Sequence, residues 1–76
     1  MRKKGLRLVV AFHTTAAAMS AEKICSSKGL EGRLIPVPRS ITSECGIAWS
    51  ASPELREQLE VLFREAGLEV SGFYLL

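Results

Sequence analysis

Two cysteines, one histidine and one arginine in a hydroxyl-rich segment are the residues of this chain whose types and spacing suggest chemistry. Cys45 follows Thr42, Ser43 and Glu44, precedes Gly46, and lies six residues after Arg39. A cysteine reacts as its thiolate, which a nearby cation or helix N-terminus stabilises. Arg39 offers a fixed cation, and Gly46 lets backbone N–H groups approach an anion closely. Glu44 opposes this unless it points to solvent. The alternative is a free cysteine that merely begins a strand, and the residues alone leave both readings open. His13 is a further candidate, as a base that takes the thiol proton, against a surface histidine with no catalytic part. Cys25 sits among Ala17, Ala21 and Ile24 at helical spacing, so it reads as a small buried hydrophobe. A Cys25–Cys45 disulfide is a minority reading, because it must join mid-helix to a loop edge.

Composition narrows the field. The chain has 76 residues, 47% apolar and 24% charged, with ten Lys+Arg against eight Asp+Glu. That fits one small globular domain spanning 1–76 and excludes a multidomain enzyme. Two cysteines are too few for a disulfide framework or a four-thiolate zinc site, and one histidine does not complete a metal site. A net charge of +2, with basic residues clustered only at Arg2, Lys3, Lys4 and Arg7, gives no electrostatic case for nucleic acid. The two strands that would carry RNA-stacking aromatics offer Phe12 and Trp49 without basic interleaving. No glycine pattern suits a phosphate loop, and no large cofactor is implied. Leu8-Val9-Val10-Ala11-Phe12 is too short for a signal-peptide core, and nothing approaches a membrane span. The expectation is a cytoplasmic protein whose thiols stay reduced.

The elements that position these residues follow from local signals. Leu6–Phe12 reads as a buried strand. Thr14 or Thr15 offers an N-cap to a helix over Thr15–Lys28, closed by Gly29-Leu30. Arg33–Val37 reads as a strand stopped by Pro36 and Pro38, residues 38–45 as a loop, and Gly46–Ser50 as a third strand. Ser52-Pro53-Glu54 starts a second helix with Leu55, Leu59, Leu62, Phe63 and Ala66 as its apolar stripe. Gly67-Leu68 ends it, and Val70–Leu76 forms the last strand.

A shift of 38 residues lays Gly29-Leu30-Glu31 on Gly67-Leu68-Glu69 and Thr14 on Ser52. It also lays Ala17, Ala21, Ile24 and Cys25 on Leu55, Leu59, Leu62 and Phe63. Two matched halves in the order β-α-β-β-α-β predict a ferredoxin-like α+β sandwich, a four-stranded antiparallel sheet with both helices on one face. That topology brings the 38–45 loop to the edge holding His13, Thr14, Thr15 and the start of the first helix. Arg39, the hydroxyls and the helix N-terminus could there hold a small anion.

At this loop the sequence resembles a family of selenium/sulfur carrier-like proteins, also catalogued as a domain of unknown function. The resemblance rests on Leu34-Ile35-Pro36-Val37-Pro38-Arg39, Ile41-Thr42-Ser43 and Cys45-Gly46-Ile47-Ala48, with Phe12, Thr14-Thr15, Ala18 and Glu22 upstream. Thr42 stands where the family usually shows serine. The resemblance implies a small protein in which Cys45 is the thiol that carries sulfur or selenium, between donor and acceptor proteins. Arg39 and the dipole of the first helix would then stabilise the thiolate and an anionic persulfide, and Thr42 and Ser43 would donate hydrogen bonds to it. Such a protein is a carrier rather than a stand-alone enzyme. The competing expectation is a non-catalytic ferredoxin-like binding or regulatory module that takes a small anion or a partner protein. Exposed strand edges leave room for a homodimer.

Overall fold

A computed structural model describes residues 6–41 and 45–76. The elements are β1 (Leu8–Phe12), α1 (Thr15–Ser27), β2 (Arg33–Pro36), β3 (Ile47–Ala51), a 3-10 turn (Pro53–Leu55) leading into α2 (Arg56–Glu65), and β4 (Val70–Leu75). The sheet order is β2-β3-β1-β4, and every neighbouring pair is antiparallel. Both helices pack on one face, giving the ferredoxin-like arrangement.

All five residues of β1 are buried. This explains an apolar run without alternation, since a central strand covered on both faces has no side for a polar residue. Leu8, Val10 and Phe12 face the helices with Trp49 and Ala51 of β3. Alanines 17, 18 and 21 let α1 lie close to the sheet, and Leu59 and Phe63 anchor α2. The rings of Phe12 and Phe63 meet edge to face, centroids 5.8 Å apart. Phe12 and Trp49 are thus core residues, unavailable as a stacking platform.

The helix endings repeat in detail. Leu30 N–H reaches the Cys25 carbonyl at 2.9 Å and Gly29 N–H that of Ser26 at 3.2 Å. Leu68 and Gly67 make the equivalent bonds to Phe63 and Arg64 at 3.0 and 3.1 Å. Gly29 and Gly67 take φ of +71° and +74°, the left-handed turn that closes a Schellman motif and that glycine enters most cheaply. The helix starts differ. Thr14 Oγ1 accepts from Ala17 N–H at 3.1 Å, whereas the Ser52 side chain makes no cap bond. Pro53 opens a 3-10 turn instead, and Ser52 N–H donates to Glu31 Oε1 at 2.9 Å.

Glu31 is the hub of a polar tie across the end of the sheet remote from His13. Arg7 donates to Glu31 Oε2 at 2.7 Å and to Ser50 Oγ at 3.3 Å. The Arg7 guanidinium and the Ser52 N–H hold the Glu31 carboxyl below its ordinary value near 4.5, partial burial opposing them. A lowered pKa stabilises the fold above the ordinary value, and that contribution fades as pH falls through the folded pKa. Glu31→Gln should therefore cost less than about 1 kcal/mol at pH 7, because the pair is largely exposed. In paired urea titrations the gap from wild type should shrink as pH drops below 4.5; a constant gap would refute the assignment.

Candidate functional site

Among its described residues, the β2–β3 connection is anchored at two places. At its base, Val37 N–H donates to the Gly46 carbonyl at 3.1 Å, extending the β2–β3 pairing by one bond. Further out, Pro38 to Ile41 forms a turn in which Ile41 N–H donates to the Pro38 carbonyl at 3.0 Å. Ile41 is buried against Val9, Ala11 and Ala48, on the sheet face away from the helices. A ferredoxin-like sheet leaves that face uncovered by helix, so here the loop itself supplies cover.

Cys45 faces the other way. It is half-buried and packs against the helix-side core. Its thiol donates to the Ile47 carbonyl at 3.1 Å, and Ile47 N–H lies 3.4 Å from Sγ. This is the side-chain-to-backbone contact two residues on that polar side chains make at turns. It fixes the sulfur over the first residue of β3. Gly46, exposed at φ +75°, allows the chain to turn there. A thiolate would lose the bond to the carbonyl and keep the N–H.

The β1–β3 register pairs Ala11 with Ala48, so the end of β1 at Phe12 lies beside Ile47. His13, Thr14, Thr15 and Gly46 are exposed at this edge. The topology thus brings Cys45, Gly46, His13 and the start of α1 to one end of the sheet. Thr14 spends its acceptor on the α1 cap, while Thr15 is the first helical residue. Arg39 is exposed within the Pro38–Ile41 turn; it shares the connection with Cys45, but its turn is pinned to the opposite face through Ile41. Thr42 and Ser43 lie outside the described residues.

Cys25 is fully buried, and desolvation pushes its thiol up to about 11. Ten residues of α1 separate it from Thr15, about 15 Å along the axis. It therefore lies toward the Arg7–Glu31 end, remote from Cys45, and both cysteines stand as thiols outside any disulfide. A Cys25–Cys45 bridge does not form.

Two open grooves, of about 490 and 330 Å³, run beside α2 and between the two helices. Neither of these two grooves is lined by Cys45. Among the described residues, no group of three or more His, Cys, Asp or Glu could hold a metal ion, and no helix is long and apolar enough to cross a membrane. Sequence reading missed two parts of this site. The backbone of Ile47 leaves no trace in side-chain types. Ile41 did leave one, as the single large apolar residue in a polar loop.

No curated protein and no solved structure matches the chain. The profile of the family described as "Putative Se/S carrier protein-like" matches residues 7–75, a span that includes both helices, all four strands and the loop bearing Cys45. The chain belongs to that family.

Proposed function

We propose that this protein carries a sulfur or selenium atom as a persulfide or perselenide on Cys45, taking it from a donor protein and passing it to an acceptor. The observation that carries the reading is the contrast between the two thiols in a chain of this family. Cys25 is sealed in the core, and Cys45 is held half-exposed at an open edge.

In the loading step the Cys45 thiolate attacks the outer sulfur of a donor persulfide. A new S–S bond forms, the donor's S–S bond breaks, and the donor thiolate leaves with the electron pair. Attack by an acceptor nucleophile on the same outer sulfur reverses the exchange and frees Cys45. His13 is the base that takes the thiol proton. Ile47 N–H donates to the anionic sulfur, and exposed Arg39 on the neighbouring turn adds a cation to the same connection rather than to the sulfur itself. Thr14, Thr15 and Gly46, exposed at this edge, complete an anion-tolerant rim. The protein has no turnover of its own; donor and acceptor proteins provide it.

Incubation with a cysteine desulfurase and cysteine, followed by intact mass, tests this. Wild type and Cys25→Ala should gain the mass of one sulfur, and Cys45→Ser none. Alkylation of the native protein should mark Cys45 and spare Cys25, which is sealed in the core and whose thiol burial pushes up to about 11. No sulfur on Cys45, while a known carrier is loaded in the same mixture, would overturn the proposal. The same outcome would favour a binding module.

A further inference from the structure

The charged side chains are sorted between the two layers of the fold. Among the described residues, Glu22, Glu54, Glu57, Glu60, Glu65 and Glu69 lie on the helices or at their ends, against four lysines and arginines. That layer carries an excess of carboxylates. The helix-free face of the sheet carries arginine instead. Val9 pairs with Ser50 and Ser50 with Arg33, so Arg33 shares the face that Val9 and Ala48 floor. Arg7, two residues before Val9, reaches Ser50 Oγ on the same face. Arg39 stands on the turn that Ile41 seats there. The remaining described carboxylate, Glu31, is spent on Arg7 and the Ser52 N–H.

Arg33 and Arg39 are exposed and enter no salt bridge among the described residues. They bracket β2, with half-buried Ile35 and Val37 between them and Tyr74 on the same face. Arginine and tyrosine around an aliphatic patch make up a surface suited to another protein. A nucleic-acid strand would need a longer track of cations and aromatics open for stacking, and Phe12 and Trp49 are sealed on the helix side.

We propose that the protein donating sulfur to Cys45 docks on this arginine-bearing sheet face through an acidic surface of its own, an inference that rests on the carrier reading. The thiol sits at the end of the sheet, turned toward the helices. A footprint of ordinary size, about 800 Å², runs from Arg33 past Arg39 to that end. Cys45 is here the unloaded thiol, the form that a donor must meet. Arginines set against an acidic surface speed that encounter, and the carboxylates of the helix layer turn the same partner away, which fixes its orientation.

The test follows loading of Cys45 by a cysteine desulfurase and cysteine at low salt, with initial rates taken from intact mass. Arg33→Glu should load at least about threefold more slowly than wild type, and Arg33→Lys at close to the wild-type rate. The gap should close as added salt screens the charges. Lys23→Glu makes the same change in net charge on the helix layer and should load at the wild-type rate. Iodoacetamide, which needs no docking, should alkylate Cys45 equally fast in wild type and Arg33→Glu. A wild-type loading rate in Arg33→Glu, or equal slowing by Lys23→Glu, would overturn the docking face and leave the carrier reading standing. No loading of wild type would overturn both. Retention of a single-stranded RNA oligonucleotide that Arg33→Glu abolishes would assign the face to nucleic acid and overturn the acidic partner.

Discussion

Phe63→Ala should remove a large share of this protein's folding stability. Phe63 is 1% exposed, stacks edge to face on Phe12, and holds α2 to the sheet together with Leu59. Truncating a buried phenylalanine costs about 3–5 kcal/mol, from lost transfer energy and the cavity left behind. A chain of this length has roughly 4–11 kcal/mol of stability in all. α2 has little with which to compensate. Beyond Leu59 and Phe63 its side chains are at most half-buried, and its internal Arg56–Glu60 ion pair is at the surface. A urea titration should show the midpoint falling by about a quarter or more, with the slope unchanged. A shift below about 1 kcal/mol would mean that the groove beside α2 collapses to fill the space.

Ile41→Ala should have the next largest effect, and of a different kind. Among the described residues of the β2–β3 connection, Ile41 is the one buried side chain, 6% exposed over Val9, Ala11 and Ala48. Its loss should cost about 2 kcal/mol, the low end for isoleucine, because a loop can settle into part of the cavity. The sheet and the helix-side core do not depend on it, so the damage should be local. Trypsin should cut after Arg39 several-fold faster than in wild type, under conditions where the rest of the chain resists. Sulfur loading of Cys45 should slow in the same variant, since the connection that presents the thiol has lost one of its anchors. Unchanged proteolysis would show that the Val37–Gly46 bond and the Pro38–Ile41 turn hold the connection without Ile41.

These two residues mark how far the sequence could be read. Phe63 was legible as a core residue from its place on an apolar stripe with Leu55, Leu59 and Leu62. Ile41 was legible only as an apolar residue without a stripe. What it covers is a sheet face that local pattern cannot see. Ser52 shows the opposite failure, a good capping residue on paper whose backbone instead serves Glu31, some twenty positions earlier in the chain. The Pro53 signal beside it held, because a fixed φ acts on the first helical turn whatever lies elsewhere.

The sequence by itself determined what neighbours along the chain decide. That includes the order of strands and helices, the paired Gly-Leu endings with their left-handed glycines, and the assignment of Cys25 to a buried helix face. Each depends on backbone sterics or on periodicity within a turn or two. The tertiary structure decided what depends on residues brought together from afar. Gly32 must be glycine because the Trp49 indole lies over it, 2.5 Å from where a Cβ would sit. The Arg7–Glu31 tie joins the first strand to the connection before the second. Cys45 looked in sequence like a thiol beside an arginine. In the fold its sulfur is held by the backbone of Ile47, and Arg39 is carried on a turn seated on the other face. Side-chain types reveal local propensity, but which groups meet is set by strand register and by which face each residue occupies.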